Sequence, residues 1–162
     1  AITDGGMLLN PDLAQKKSIL ENAVRALKGV GIDTPKVAVM AGAEVVNPKA
    51  IESVDADALK KMYLAGEIKD CIVEGPISYD LAMSREAVEI KGYESPVAGD
   101  TDIMLMPSMA AGNLVAKALT VSGNAKMAGI IMGAKVPIVL VSRSASSEEK
   151  FLSLLFAAAV SR

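Results

Sequence analysis

Residues 137–149, PIVLVSRSASSEE, hold the reading that decides the fold. An apolar run from Ile138 to Val141 stops at Ser142-Arg143, and Ser144, Ser146 and Ser147 follow before Glu148 and Glu149. A mostly apolar segment then runs from Lys150 to Val160. This pattern predicts a buried strand, a polar loop and a helix in succession, the repeating unit of an α/β protein. Ser146-x-x-Glu149 has the spacing of a capping box, in which each residue satisfies a free backbone N–H of the other, so the helix is expected to begin near Ser147. The free N–H groups and partial positive charge of a helix start suit phosphate, and Arg143 adds a planar two-pronged donor. On residues alone, an ordinary capped strand–loop–helix junction explains the same pattern.

The same alternation recurs upstream. A helix is expected from Asn10-Pro11-Asp12 to about Gly29, with Asn10 as cap and Pro11 in the first position. A strand over Lys36–Met40 follows, then a helix over Ala56–Ala65 that Asp55 would cap. A strand at Cys71–Val73 is expected to end at Gly75-Pro76, with a helix from Ser78 or Tyr79 to about Ile90. A strand over Asp102–Met106 precedes a helix over Gly112–Leu119. Two closing strands are expected at Lys126–Met132 and Pro137–Val141, and a short early one at Ala1–Thr3. Strands alternating with helices, several continuously apolar, predict a three-layer αβα domain with a mostly parallel sheet.

Composition narrows the chemistry. The 162 residues are enough for one domain with a real core, and they are 51% hydrophobic but only 3% aromatic, so packing must come from aliphatic side chains and nine Met. Net charge is −2 and no basic run exceeds two residues, which leaves no nucleic-acid footprint. The chain has no His and one Cys. Those absences exclude a Ser-His-Asp triad, His metal ligands and a Cys-rich zinc site within this chain, so chemistry must use carboxylates, hydroxyls, Lys, Arg and backbone dipoles. Cys71, in an apolar run, reads as a core residue. Neither a signal peptide nor a membrane span is expected, and the default location is the cytoplasm.

The polar and glycine-bearing segments fall at the expected carboxyl ends of strands, where α/β sheets collect ligands. They include Asp4-Gly5-Gly6, Glu74-Gly75-Pro76, Ser95–Asp100, Gly112-Asn113, Gly133-Ala134-Lys135 and Ser142-Arg143. Neither the dinucleotide fingerprint GxGxxG nor the phosphate loop GxxxxGK[ST] is present.

Taken in order, several blocks resemble the phosphate acetyl/butyryl transferase family. They are Ala1–Asp4, Glu44-Val45-Val46-Asn47-Pro48, Glu74–Asp80, Ser95–Asp102, Ala111-Gly112-Asn113 and Pro137–Arg143, and they span nearly the whole chain. The block at Glu44–Pro48 leans toward the butyryl branch. The resemblance implies a fold related to the isocitrate and isopropylmalate dehydrogenases, with two lobes and a cleft. It implies a reversible acyltransferase reaction in which acyl-CoA and inorganic phosphate give acyl phosphate and CoA. Coenzyme A would be a substrate, with no resident cofactor and no metal. It places Ser142 and Arg143 at the phosphate end of the cleft. Glu149, with Glu148 as competitor, becomes the candidate base or orienting group. Gly99, Asn113, Lys135 and Ser144 would line the substrate site. Asp100 and Asp102 read as loop anchors. Family members are longer, so the chain is expected to be a C-terminal portion: residues 1–146 as the second lobe, and 147–162 as a terminal helix that packs on the absent first lobe. As a fragment it is expected to be inactive, and the family implies a homodimer. Two alternatives stand beside this reading: a non-catalytic acyl-CoA or phosphate-binding half-domain, and an acyl-carrier-protein:phosphate acyltransferase.

Overall fold

The computed structural model describes residues 1–161. Four parallel strands form its sheet in the order β1-β4-β2-β3: β1 is Ile2–Thr3, β2 Lys36–Met40, β3 Ile72–Ile77 and β4 Ile103–Leu105. Alternation along the strands sorts the core onto two faces. Val37, Val39, Val73, Ile103 and Leu105 point toward helices α1 (Leu13–Gly29) and α2 (Ile51–Leu64), meeting Leu20, Val24, Leu27, Ala56 and Leu59. Ala38, Met40, Met104 and Met106 point the other way. There they meet Leu81 of α3 (Tyr79–Met83), Val88 of α4 (Arg85–Lys91) and Ala111 and Val115 of α5 (Met109–Val121). The three-layer αβα domain with a parallel main sheet is therefore the one the alternation predicts.

β3 runs past its expected end. It continues through Gly75-Pro76 to Ile77, with an extra residue against β2: Ala38 pairs with Glu74, but Met40 pairs with Ile77. The added residue reverses the parity of the strand and turns Ile77 to the second face. Gly75 makes this possible, because a Cβ there would stand 2.8 Å from the Val39 side chain.

Helix starts differ from expectation where two polar residues compete. Asp12, not Asn10, caps α1: its carboxylate accepts from Gln15 N at 2.8 Å and Asp12 N donates to Gln15 Oε1 at 2.9 Å. The reciprocal partner decides the outcome, since Asp12 has Gln at the third helical position. Asp55 caps nothing; α2 begins at Ile51 with no side-chain cap, and Asp55 pairs with Lys16 at 2.6 Å. The helix expected to run unbroken to Ile90 divides at Ser84, whose extended backbone ends α3 and whose hydroxyl caps α4.

The C-terminal segment departs most. The two closing strands are short, β5 (Ile130–Ile131) and β6 (Ile138–Val139), and pair antiparallel in a separate ribbon. The run expected to be buried leaves Ile138 48% and Leu140 54% exposed. Apolar character alone does not distinguish a strand inside a sheet from one that lies uncovered. The ribbon hangs on α6 (Ser147–Val160): Gly129 N donates to Ser153 Oγ at 2.9 Å, and that hydroxyl donates to Glu149 O at 2.7 Å. One side of α6 packs on α1, with Val160 against Gly29, where a Cβ would lie 3.0 Å from Val160 Cα. The other side leaves Phe151, Leu154 and Leu155 exposed.

α5 is seated by a backbone contact. The Asp4 carboxylate gathers the N–H groups of Gly6, Met7 and Leu8 at 2.7–2.9 Å, folding the loop after β1 onto α5. A Cβ at Gly112 would stand 2.4 Å from the Asp4 carbonyl oxygen. Gly112→Ala gains about 1 kcal/mol of helix propensity. Displacing α5 costs more, so the variant is expected to lose about 1–3 kcal/mol of stability in urea unfolding. An increase in the unfolding midpoint would show that this contact is not tight.

Candidate functional site

The loop after β6 and the start of α6 bring several expected residues together. Ser142 Oγ lies 3.0 Å from Ser144 Oγ, and Ala145 N donates to Ser142 O at 3.0 Å, closing a turn that presents both hydroxyls. Lys117 reaches over from α5, its Nζ 3.4 Å from Ser142 Oγ. These groups line a cleft of about 210 Å³ together with Thr120, Met127 and Glu149. Helix α6 opens on the same place, and Ser146 and Glu149 form the expected capping box.

Glu149 is fully engaged as a support. Its Oε2 accepts from Ser146 N at 2.8 Å and its Oε1 from Met127 N at 3.2 Å. The backbone N–H of Ser146 leads the effects that hold the carboxyl below its ordinary value, and Lys117 contributes. The carboxylate therefore ties three pieces of chain together: the serine loop, the first turn of α6 and the segment before β5.

Other expected residues fall into three groups. Arg143 sits in the serine loop with its side chain exposed, and makes no ion pair among the described residues. Asn113 lies one helical turn before Lys117 on the same face of α5, and its Nδ2 donates to Gly5 O at 3.1 Å. It thus positions the cleft-bearing helix against the loop after β1. Gly99 and Lys135 do not line the serine-loop cleft. Gly99 has φ +66° and its N–H donates to Leu81 O at 2.8 Å, while a Cβ there would press on Arg85 at 2.8 Å. Lys135 is exposed in the β5–β6 turn, which rests on α1 through Gly133 and Asn22.

The anchors read from sequence hold their loops. Asp102 Oδ2 accepts from Lys36 N at 2.8 Å, and Asp100 pairs with the Lys36 ammonium at 2.6 Å. Glu44 accepts from the Ser78 hydroxyl, which leads the effects holding its carboxyl low, and from Lys91. Lys91 also pulls the Asp80 carboxyl down to about 2 by hydrogen bonding. Burial pushes the Cys71 thiol up to about 11, the state of an inert core residue.

Lys117 is the functional candidate that sequence reasoning missed. Its signal was present: it is the one charged residue between Met109 and Val121, set four positions after Asn113. A second and larger cleft, about 730 Å³, lies on the other side of α5 at the carboxyl ends of β2 and β4. Lys16 and Asp55 reach it from helices 39 positions apart, which no local pattern connects. Among the described residues, no group of three or more His, Cys, Asp or Glu is placed to hold a metal ion, and no helix is long and apolar enough to cross a membrane.

Comparison with known proteins returns a family model described as phosphate acetyl/butaryl transferase, matching residues 1–158. A phosphate acetyltransferase of Thermotoga maritima is 47% identical over 97% of this chain and 53% of its own length. A phosphate butyryltransferase of Clostridium acetobutylicum is 42% identical over 98% of this chain and 53% of its own. The chain thus spans about half the length of the curated relatives it matches. The crystal structure of a branched-chain phosphotransacylase from Enterococcus faecalis superposes with a TM-score of 0.91 at 42% identity, over 99% of this chain and 58% of that one.

The cap makes a pH prediction. Hydrogen bonds hold the folded Glu149 carboxyl below its ordinary value of 4.5, so its stabilisation is complete above that pH and is lost as pH falls through the depressed folded value. Glu149→Ala is expected to be less stable than the parent at neutral pH. The difference should shrink steadily as pH falls below 4.5, as read by thermal unfolding at each pH. A difference that stays constant through the acid range would show that the ionised cap is not its source.

Proposed function

The chain belongs to the phosphate acetyl/butyryl transferase family, and from that premise we propose that the whole protein moves a short-chain acyl group reversibly between coenzyme A and inorganic phosphate. The observation that carries this reading is the cluster of Ser142, Ser144 and Lys117 at the mouth of α6, beside the exposed guanidinium of Arg143. Two hydroxyls, an ammonium and a helix N-terminus form a polar cup suited to phosphoryl oxygens.

In the direction of CoA acylation, a thiolate attacks the carbonyl carbon of an acyl phosphate, the carbon–sulfur bond forms and phosphate departs with the carbon–oxygen bonding pair. Negative charge grows on the carbonyl oxygen and then on the leaving phosphate. Ser142 donates to the first, and Arg143 with Lys117 neutralises the second. The thiol must lose a proton beforehand, and a positive field lowers its pKa. Glu149, with its oxygens accepting backbone N–H groups, serves here as the orienting group of the loop; a carboxylate held low is a weak base. Ser144 supports Ser142, and Asn113 holds α5 in place. Gly99 supplies a tight turn away from the serine loop, and Lys135 adds an exposed positive charge on the β5–β6 turn. Coenzyme A is the thiol substrate, and the reaction calls for no resident cofactor.

The relatives carry acetyl, butyryl and branched-chain names, so the acyl group is to be set by assay. We take this chain as the C-terminal part of a two-lobed, cytoplasmic homodimer. Three features support that assignment: the half-length match, the free buried thiol, and the apolar residues exposed on α6 and β6.

Release of CoA from acetyl-CoA and butyryl-CoA in the presence of phosphate, followed with a thiol reagent, tests the reading in the chain alone and in the longest product of its gene. Phosphate-dependent release is expected from the longer product, and Arg143→Ala should lower kcat/KM about 100-fold or more. Phosphate-independent release, or none from the longer product, would sink the enzyme and leave an acyl-CoA- or phosphate-binding module.

A further inference from the structure

The large cleft on the far side of α5 is a different place from the serine loop. Ala111 and Val115 face it, whereas Lys117, Thr120 and Val121 face the smaller cleft, so the helix separates the two. It sits where the connections after two neighbouring parallel strands leave for opposite faces of the sheet. After β2 the chain passes through α2, on the face shared with α1, and after the neighbouring β4 it passes through α5, on the opposite face. Crevices at such points collect ligands, and about 730 Å³ is a small-molecule volume.

Its walls are apolar: Met40, Met106, Ile51, Pro107, Val115 and the ring of Tyr79. Its floor holds one charged pair. Lys16, 4% exposed, donates to Asp55 Oδ2 at 2.6 Å. An ammonium has three N–H groups, and one is used here. Asp55 Oδ1 accepts no hydrogen bond among the described residues. Among the described residues no sealed side-chain polar atom lacks a partner, so that oxygen is reached by solvent, and Asp55 lines the cleft. The floor therefore presents a donor and an acceptor side by side.

Charge selects among occupants. Asp12 and Glu52 lie at the starts of α1 and α2, where the helix N-terminal partial charge partly offsets them. Three carboxylates against one ammonium leave a negative field that repels anions, and a cation would have to compete with Lys16 for Asp55. A carboxamide does not: its carbonyl accepts from Lys16 while its N–H donates to Asp55. We propose that this cleft is a second binding site, taking a small neutral carboxamide with an aliphatic body, independent of the phosphoryl chemistry at the serine loop.

The walls supply their own reporters, because Met40 and Met106 line this cleft and Met127 lines the other. The test is methyl-carbon NMR of the methionine-labelled 162-residue chain, titrated with isobutyramide and, separately, with isobutyrate. Isobutyramide should shift Met40 and Met106 saturably and leave Met127 in place, and isobutyrate should require at least tenfold higher concentration. Ala111→Phe, and in parallel Val115→Trp, should abolish the shift while the Met62 and Met127 signals keep their native positions. Three results would overturn the site: no saturable shift, equal response to the acid, or a shift that survives both cavity-filling variants. Inorganic phosphate titrated in the same sample reads on Met127, so failure of the serine-loop reading registers separately.

Discussion

A missing side chain at position 112 sets the arrangement on which both clefts depend. With hydrogen in place of Cβ, the backbone of α5 comes against the carbonyl of Asp4, and the Asp4 carboxylate in turn folds the next four residues over the helix. The helix so placed carries Asn113 and Lys117 on one side and Ala111 and Val115 on the other. Displacing it by the width of a methyl group would move Lys117 away from Ser142 and open the wall of the larger cleft. Close packing of this kind converts one local contact into the geometry of a distant one, because interiors have no slack to absorb it.

What was legible in the sequence was local. The capping box at Ser146 and Glu149 is an i, i+3 relation, and α6 starts at Ser147 where that relation places it. β2 spans Lys36–Met40, the run of apolar residues after Pro35. The same local logic points to Asn10, which precedes Pro11, whereas the reciprocal bond with Gln15 settles the cap on Asp12. Asp55 looked like a cap since nothing nearby announces its partner. Lys16 is 39 positions away, and only the packing of α1 beside α2 brings the two within 2.6 Å. The apolar run at Ile138–Val141 gave no sign that it would lie in a two-stranded ribbon outside the main sheet. In the candidate site the hydroxyls and the cap were readable from their order along the loop. The cation facing them was not, because Lys117 belongs to a helix 25 residues earlier.

The two clefts divide the chemistry of the molecule between them. Around the serine loop the hydroxyls and cations are partly exposed, and the one carboxylate is held by backbone N–H groups. On the opposite side of α5 a single ion pair is fixed under aliphatic walls, with Lys16 almost wholly withdrawn from water. Desolvation there penalises any new ion and leaves shape and hydrogen-bond pairing as the means of selection.

The buried hydroxyl of Ser153 links motions that the chain order keeps apart. It receives Gly129 N from the ribbon and gives its proton to Glu149 O, while the Glu149 carboxylate holds both Met127 and Ser146. Ribbon, serine loop and α6 therefore share one set of hydrogen bonds, and Val160 locks the far end of that helix onto Gly29 of α1. The assembly behaves as a lever with its fulcrum on α1. A force that rolls α6 along its exposed apolar face carries Ser142 and Ser144 with it, so whatever covers that face also sets the distance from these hydroxyls to Lys117.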